Sequence, residues 1–363
     1  MRSHPTLRDV AVAANVSKTT VSNVFSRPGI VRPEVRAIVE AVARELGYAG
    51  PNPKGRMLSS GKVNVIGVVS IGQFGISLFF KNAYQRDFLA GVAEVCEERG
   101  VGLTLVSSRP DQAEAGIRNA LVDGFIFTAI EQLDFVEAAH RRLPFVVMDT
   151  DRGPGISSVR VENRDGARQA VRHLLALGHR RFVIGSALLT FRAPVFHPPS
   201  NSPRPLVTGS TAWRERLEGV AEALCEAGIS INDVPLVEAC GTPEEEEAFG
   251  NGAAMILDRA PEATAVIALT DSLALNVIAQ AKLRGISVPR DLSVVGFDDI
   301  PEAALSDPPL STVHQSANVN GRTAASILLD GGPPRQVSLP VTLIIRNTTA
   351  HPRERRFQVL LRS

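Results

Sequence analysis

Beyond residue 63 the sequence alternates short apolar segments with amphipathic helical patterns, and this alternation restricts the possible folds more than any other feature. Repeated strand–helix units are typical of a parallel, doubly wound sheet with helices on both faces. The alternation restarts after Glu162, which predicts two α/β domains in tandem. The predicted strands lie at 65–69, 102–106, 124–127 and 145–148 in the first series, and at 182–184, near 265 and near 294 in the second. The predicted helices lie at 84–99, 111–120, 167–177 and 213–227.

An internal repeat supports two related domains. Residues 89–101 and 217–229 are identical at seven of thirteen positions. Each segment follows the first strand of its series by a similar interval. Shared helix composition remains an alternative explanation for part of this similarity.

Length and composition are those of a globular protein with more than one core. The chain has 363 residues, of which 44% are hydrophobic and 21% charged. No segment approaches the roughly 18 apolar residues of a membrane-spanning helix, and the N-terminal apolar run is too short for a signal peptide. The three cysteines lack CxxC spacing, which argues against disulfides and structural zinc. We therefore expect a cytoplasmic protein without membrane contact.

The first 50 residues predict three short helices around one small core. Thr6 and Asp9 have the spacing of a capping box, and Ser17 can cap a second helix after a tight turn. A third helix should begin at Pro33 and end at Gly47. The apolar positions predicted to face this core are Leu7, Val10, Ala11, Ala14, Val21, Val24, Val35, Ile38, Val39, Val42 and Leu46.

This head carries most of the positive charge of the chain. Residues 1–63 contain ten Lys or Arg and four acids, a net +6, whereas the other 300 residues sum to −5. A basic head on an acidic body favours binding to a polyanion, although a solvated basic surface is the alternative. The second predicted helix would turn outward short polar groups and one cation, which suit base edges and phosphates. These residues are Lys18, Thr19, Thr20, Ser22 and Asn23.

The head resembles that of the lactose/galactose repressor family of bacterial transcription regulators. The similar residues are Thr6 to Ala11, Val16 to Ser22, Leu46 to Tyr48, and Pro51 with Asn52. The resemblance implies that Lys18, Thr19 and Asn23 read bases. It also implies phosphate contacts for another set, which comprises Thr6, Ser17, Thr20 and Ser22. Leu46 and Tyr48 are expected in the core.

A basic linker separates the head from the body. Residues 51–62 are rich in Pro, Gly and Ser and contain three cations. In the family that the head resembles, this stretch forms a hinge helix on DNA, which implies that Leu58 wedges into the minor groove with Arg56 beside it. Pro53 and Gly55 depart from the family pattern and make hinge order costly, and Leu58 could instead be an exposed linker residue.

The resemblance extends through the body to about residue 350. It rests on segments 177–181, 288–289, 293–299 and 308–315. It implies the fold of periplasmic sugar-binding proteins, with two subdomains joined by crossovers near 162, 315 and 340. The expected organisation is a helix-turn-helix head at 1–50, a linker at 51–63, a core at 64–350 and a basic tail at 351–363. Within the core, the N-subdomain would span about 64–162 and 315–340, and the C-subdomain about 163–314 and 341–350.

Four residues are carried over as effector-binding: Asp149, Arg216, Thr270 and Asp298. An Arg and carboxylates that converge in a cleft suit vicinal hydroxyls of a sugar or nucleoside. We expect Arg216 and Asp298 to come from the two walls of the cleft or from its edge. The alternatives are an exposed helix charge for Arg216 and a helix N-cap for Asp298. Asp271 is an equally good N-cap for the helix that ends near Leu283.

Two further segments carry local predictions. Residues 187–212 contain five prolines and no periodic apolar pattern, which predicts a long loop near the cleft. Residues 244–247 are four consecutive glutamates after Thr242 and Pro243, which predicts the first turn of a helix.

These features together predict a DNA-binding regulator of transcription, most simply a repressor that binds palindromic operator DNA as a homodimer. A small sugar-like effector in the cleft would control that binding. An enzyme is disfavoured because GxGxxG and GxxxxGK[ST] are absent and the seven histidines show no metal spacing, so no cofactor or metal is expected. The alternative function is a solute-binding protein of the periplasmic type without a DNA role.

Overall fold

The computed structural model describes residues 5–50, 61–71, 76–108, 113–128, 143–150, 153, 155–188, 193–201, 211–240 and 246–353. The chain divides into two compact units, one at Met1–Asn64 and one at Val65–Ser363. We describe each unit by itself.

The first unit contains three α-helices around a small apolar core. They are α1 (Leu7–Ala13), α2 (Lys18–Ser26) and α3 (Pro33–Leu46), with a short 3-10 turn at Pro28–Ile30. The Thr6 hydroxyl and the Asp9 carboxylate form the predicted capping box at the start of α1. Gly47, at φ +70°, ends α3 in the left-handed conformation that glycine adopts without strain. The predicted head architecture is therefore confirmed.

Two core assignments in the head are wrong. Ile38 and Leu46 are 52% and 41% exposed. Helix α3 packs through a narrow stripe centred on Val39 and Ala43, and both predicted residues fall outside it. Tyr48 does pack against this core, with its ring edge-on to Phe25 at 5.6 Å between centroids.

The second unit alternates strands and helices as predicted. Its strands are β1 (Val65–Ile71), β2 (Gly102–Ser108), β3 (Phe125–Thr128), β4 (Phe145–Met148), β5 (Ser157–Val161), β6 (Phe182–Leu188), β7 (Val195–His197), β8 (Leu236–Cys240), β9 (Ala265–Ala268), β10 (Ser293–Asp298), β11 (Ser311–His314), β12 (Gln336–Leu339) and β13 (Thr342–Ile344). Its helices are α4 (Ser77–Lys81), α5 (Ala83–Arg99), α6 (Ala113–Asn119), α7 (Asn163–Ala176), α8 (Thr211–Glu226), α9 (Glu246–Arg259), α10 (Asp271–Leu283), α11 (Pro301–Leu305) and α12 (Ala317–Asp330), with a 3-10 turn at Ile231–Asp233.

The strands form two sheets, each covered by helices. The first sheet has the order β12-β5-β4-β3-β1-β2 and is parallel throughout. The second has the order β13-β11-β10-β9-β6-β8-β7, with antiparallel pairing at its two edge strands β13 and β7. Separate apolar clusters lie on the two faces of each sheet. The predicted class, an all-α head followed by an α/β core of two mainly parallel sheets, is confirmed.

In the described residues the chain passes between the sheets three times. It leaves the first sheet after β5, since α7 packs on the second sheet beside Phe182 and Ile184. It returns after β11, because α12 packs with the first sheet, and it passes to the second sheet once more between β12 and β13. Each subdomain is therefore discontinuous in sequence.

The two copies of the internal repeat occupy equivalent places. Gly91 of α5 lies directly against the backbone carbonyl of Asn318 in α12, and Gly219 of α8 lies against that of Arg164 in α7. A Cβ at either glycine would overlap that carbonyl oxygen. The shared glycine thus allows the same close helix contact in both halves.

The prediction of one long loop at 187–212 is wrong where the structure describes it, because its ends belong to β6 and α8 and it contains a strand. Residues 189–192 and 202–210 lie outside the described residues. Residues Val195–His197 form β7 and pair with β8. Backbone hydrogen bonds to a neighbouring strand do not require an apolar repeat, so the sequence pattern gave no signal for this edge strand. The helix expected from the glutamate run begins at Glu246, and residues 241–245 lie outside the described residues.

Candidate functional site

The second helix of the head presents a polar face. Val21 and Val24 are buried, whereas Lys18 and Thr19 are exposed and Asn23 is partly exposed. None of these three polar side chains forms a hydrogen bond or ion pair within the described residues. They are therefore available to a partner outside the chain.

The hydroxyls proposed to contact phosphate are engaged at helix starts. Thr6 hydrogen-bonds the Asp9 carboxylate at 2.7 Å, and Ser17 accepts from the backbone N–H of Thr20 at 3.0 Å. The Ser17 and Thr20 hydroxyls lie 2.8 Å apart. Ser22 is partly exposed on the same helix. Capping fixes the positions of these groups, and each hydroxyl keeps further hydrogen-bonding capacity.

In the core, acidic side chains collect where strands of both sheets end. Asp149 directly follows β4 and adopts φ +52°, and Asp298 ends β10 at φ +120°. Positive φ is uncommon for residues other than glycine and clusters at functional sites. Carboxyl ends of parallel strands are the usual ligand-binding edge of such sheets.

Arg216 lies at the centre of this cluster. Its side chain is 5% exposed and its guanidinium stacks on the Phe297 ring at 3.6 Å. Nε donates to Asn163 Oδ1 at 2.8 Å, while Nη1 donates to the Leu269 carbonyl at 2.6 Å and to Asp298 Oδ1 at 3.1 Å. Arg216 is thus a buried, fixed cation and not an exposed helix charge.

Of the two placements expected for Arg216 and Asp298, on the two walls of the cleft or at its edge, the two-wall placement is wrong. Arg216 lies on α8 and Asp298 on β10, so both belong to the second sheet and its helices. Helix α8 packs over that sheet, which brings its inward face onto the end of β10. Asp149 follows β4 and so belongs to the first sheet, and Arg216 acts on it electrostatically from the second.

Tyr84 is a site residue that the sequence reasoning missed. It lies in the first turn of α5, and its hydroxyl accepts from Asn320 Nδ2 at 2.9 Å. Burial raises the pKa of Tyr84, and the charges of Asp149 and Asp298 raise it further, so Tyr84 lies within electrostatic range of both carboxylates. Its position at the start of the first long helix after β1 was the available signal.

Gln315 is a second residue that was missed. It lies at the crossover that follows β11, is 4% exposed and donates from Nε2 to Asp298 Oδ1 at 2.5 Å. Residue 298 therefore contacts a segment that connects the two subdomains.

Electrostatics of the cluster favour partial protonation. Burial raises the pKa of Asp149 to about 6, opposed by Arg216 and reinforced by Glu215 and Asp298. Burial also raises the pKa of Asp298, against the opposing effect of Arg216. Within the described residues, burial thus outweighs the compensation that Arg216 provides to these two carboxyl groups.

Thr270 and Asp271 form different local contacts at the start of α10. Thr270 is the N-cap of α10 and accepts from the backbone N–H of Leu273 at 3.4 Å, so Asp271 is not the cap. Asp271 is fully buried and accepts from the Thr312 hydroxyl at 2.5 Å and from the Ile300 N–H at 3.0 Å. Burial, and next the charge of Asp298, raise the pKa of Asp271 to about 7. Asp298 is no N-cap either, since Ile300 precedes α11.

Asp299 fixes the loop that follows β10. Its carboxylate accepts from Arg346 at 2.6 Å and lies 2.9 Å from His314 Nδ1. Arg346 also donates to the Leu310 carbonyl at 2.7 Å. These contacts stabilise the positive φ angles of Asp298 and Asp299, which set the orientation of the Asp298 side chain.

The arrangement is suited to hydrogen bonding. Within the described residues no group of three or more His, Cys, Asp or Glu could hold a metal ion. No helix among the same residues is long and apolar enough to cross a membrane. Leu58 and Arg56, the proposed minor-groove residues, lie outside the described residues.

A helix-turn-helix head and a core with a polar site at its strand ends define a class of DNA-binding regulators with ligand-binding cores. The model of bacterial regulatory proteins of the lacI family matches residues 6–52, and that of the periplasmic binding protein-like domain matches residues 171–349. An HTH-type transcriptional regulator of Mycobacterium tuberculosis is 35% identical over 365 residues, which cover 97% of this chain and 98% of the relative. The chain belongs to the lacI family of bacterial regulatory proteins.

Solved structures agree with this assignment. The lac repressor dimer bound to operator and the anti-inducer ONPF matches with a TM-score of 0.76 and 26% identity, covering 96% of this chain and 100% of that one. The complex of the regulator CelR with cellobiose matches with a TM-score of 0.67 and 26% identity, covering 95% and 99%. The curated relatives are HTH-type transcriptional regulators or repressors.

Proposed function

We propose that this protein is a repressor of transcription that binds a palindromic operator as a homodimer and responds to a small polyhydroxylated effector. The observation that carries the proposal is the polar face of α2, with Lys18 and Thr19 exposed above buried Val21 and Val24. A second helix of this kind enters the major groove with its N-terminal side chains towards base edges. In this proposal Lys18, Thr19 and Asn23 read bases, and Thr6, Ser17, Thr20 and Ser22 contact phosphates.

The dimer follows from the size of one head. A single head reads only a few base pairs, and two-fold symmetry doubles the contacts while fixing the spacing of the half-sites. The lac repressor, which this chain resembles along its length, was solved as a dimer on operator. Chromosomal DNA as the partner implies action in the cytoplasm.

The effector site is the cluster around Arg216. In this proposal Asp149, Arg216, Thr270 and Asp298 bind the effector, and Tyr84 is added because both carboxylates act electrostatically on it. The subdomain boundaries near 162, 315 and 340 would act as hinges, and the linker at 51–63, with Arg56 and Leu58 in the minor groove, would transmit closure to DNA. A relative bound to cellobiose supports a sugar.

Selection of operator DNA tests this function. The full chain is used to enrich sequences from a random duplex pool, and the enriched site is footprinted. We expect a palindromic site and dimeric protection. Lys18→Ala and Asn23→Ala should each cost about 1–3 kcal/mol on the selected site and relax its specificity, whereas Ser22→Ala should weaken selected and random DNA alike.

The matched control is Lys282→Ala, which removes the same charge from an exposed position on α10. It should leave operator affinity unchanged. Equal losses on both DNAs for Lys18→Ala, Asn23→Ala and Ser22→Ala would contradict the base-reading assignment. Absence of any enriched site, together with saturable sugar binding, would favour the solute-binding alternative.

A further inference from the structure

Two of the three crossovers between the sheets carry a buried amide side chain. Asn163 is the first residue of α7, at the first crossover, and Gln315 directly follows β11, at the second. They are 1% and 4% exposed. Because water cannot replace the partners of such buried groups without a local rearrangement, their hydrogen bonds restrict the positions of both crossovers.

Both amides bind the ion pair between Arg216 and Asp298. Asn163 Oδ1 accepts from Arg216 Nε at 2.8 Å. Gln315 Nε2 donates to Asp298 Oδ1 at 2.5 Å. The same oxygen of Asp298 accepts from Arg216 Nη1 at 3.1 Å. A continuous series of hydrogen bonds therefore connects the first crossover, through the ion pair, to the second.

Asn163 contacts both subdomains. Its Nδ2 lies 3.5 Å from the carbonyl oxygen of Val161, the last residue of β5 in the first sheet. The same nitrogen lies 3.4 Å from Glu215 Oε2, on α8, which packs on the second sheet. A rotation of the Arg216 guanidinium would therefore disturb a side chain that contacts a strand of one subdomain and a helix of the other.

Gln315 is connected to the first sheet side through α12. That helix begins two residues later, and Ser316 caps it by accepting from the Val319 N–H at 3.3 Å. Helix α12 carries Asn320, which donates to the Tyr84 hydroxyl at 2.9 Å. A displacement of Gln315 would therefore move the start of the helix that contacts Tyr84.

The third crossover has a different anchor among the described residues. The backbone N–H of Leu343 donates to Gln169 Oε1 at 3.1 Å, and Gln169 Nε2 lies 3.5 Å from the Val341 carbonyl. Gln169 also donates to Asp165, which lies on the same helix, at 2.7 Å. In the part of the chain that the structure describes, the ion pair is thus connected to the first two crossovers by buried amides and the third is held by α7.

We propose that Asn163 and Gln315 are positioning residues that link the first two crossovers to the ion pair, so that a ligand on this pair acts on two hinges together. This inference rests on the proposed function and adds the connection between the site and the hinges. The two amides act through the ion pair, because each one bonds to a different member of it.

Hydrogen–deuterium exchange of the unliganded full chain tests this link, because each crossover can be measured while the other is changed. Asn163→Leu should speed exchange in residues 314–318, and Gln315→Leu should speed exchange in residues 162–166. We expect at least about fivefold faster exchange at the unchanged crossover, which is the lower end of the coupling usual between linked sites. Unaltered exchange at the unchanged crossover in either variant would overturn the proposal.

A control variant separates this effect from a general loss of stability. Leu224→Ala creates a cavity beneath α8 at a buried position about two turns from Arg216. It should not concentrate faster exchange at the two crossovers. Asn163→Ser and Gln315→Asn shorten the same amides and take the place of the leucine variants if either of those does not fold.

An Arg216→Ala background shows whether the ion pair carries the effect. Without the guanidinium the two amides no longer share a pair, so Asn163→Leu should cause no further change in residues 314–318. An effect of unchanged size in this background would overturn the proposal, because the crossovers would then be connected by other contacts.

Operator titration relates the link to regulation. On the operator that the full chain selects, Asn163→Leu and Gln315→Leu should shift the affinity in the same direction, because both release hinges that one ion pair restrains. Opposite shifts, or no shift, would overturn this proposal and leave the proposed function standing. If no operator is selected, the proposed function fails, and the exchange measurements still decide whether the ion pair links the crossovers.

Discussion

At the scale of single residues, Arg216 connects most of the candidate effector site. Its Nε and Nη1 bind an amide of α7, a carbonyl at the end of β9 and the carboxylate of Asp298. Stacking on Phe297 fixes the plane of the guanidinium. A buried ion pair of this kind contributes more to geometry than to net stability, because desolvation offsets the attraction.

Arg216 belongs to the candidate effector site and not to the head. Arg216→Ala should retain operator binding and lose the response to effector. It should also lower the free energy of unfolding by roughly 3–5 kcal/mol, since Asp298 would remain buried without its partner. Operator titrations with and without an effector, together with urea unfolding, measure both effects. Arg214→Ala, at an exposed position two residues away, is the control and should change neither. A normal effector response in Arg216→Ala would refute its assignment to the pocket.

Asp271 predicts a pH effect on stability. Its pKa is raised from 3.8 to about 7 in the folded protein, so the folded state holds a proton that the unfolded state has released. Its contribution is complete below about pH 4 and is lost as the pH rises towards 7. Asp271→Asn should remove this loss, which is on the order of 4 kcal/mol between pH 4 and pH 8.

Urea unfolding of both proteins across this pH range measures the difference. The groups that act on Asp271 are Asp298 and Asp299, with donors from Thr312 and Ile300, and they are present in both proteins. Parallel stability curves for wild type and variant would show that Asp271 is ionised in the fold.

At the scale of elements, the close pairs α5–α12 and α8–α7 define the two halves of the core. Gly91 and Gly219 place the backbones of these helices in contact. Each pair joins a helix that follows the first strand of its sheet to a helix that follows a crossover. The contacts therefore link segments that are distant in sequence.

Gly91→Ala and Gly219→Ala should each lower the free energy of unfolding by at least about 1–3 kcal/mol, because the added Cβ meets backbone that cannot move aside. Chemical unfolding of the full chain is the measurement. Gly155→Ala is the control, since open space surrounds its Cβ position. Losses no greater than that of the control would mean that the helix pairs can separate without cost.

At the scale of the whole molecule, effector and operator must be coupled through differential affinity for two states. The first-sheet side supplies Asp149 and Tyr84, and the second supplies Arg216 and Asp298, so a ligand that contacts both sides favours closure. Gln315 contacts Asp298 from a crossover, which connects the site to the proposed hinge.

Leu58→Ser should retain effector binding and lose much of the operator affinity, because an apolar wedge offsets the unstacking of bases in a bent duplex. Operator titration and ligand calorimetry on the same preparation measure the two properties. Leu121→Ser changes an exposed leucine on the surface of the second unit. It serves as the control and should bind operator as the wild type does. Normal operator binding by Leu58→Ser would refute the hinge interpretation alone.

Local patterns in the sequence determined the elements and the class of fold. The spacing of Thr6 and Asp9, the cap at Ser17 and the stop at Gly47 act within a few residues, so they could be read directly. The alternation of strands and helices likewise requires a doubly wound sheet, because each element must bury one apolar face. The sequence analysis did not predict the edge strand β7, because its backbone pairing with β8 requires no periodic pattern of apolar residues.

Only the tertiary structure decided which side chains meet. Arg216 and Asp298 are 82 positions apart, and Tyr84 and Asn320 are 236 apart. Their contacts depend on the order of the strands and on the three passages between the sheets, which no local periodicity encodes. Residue type indicated that Arg216 could bind carboxylates, but the packing of α8 over β10 determined that it pairs with Asp298 within its own subdomain.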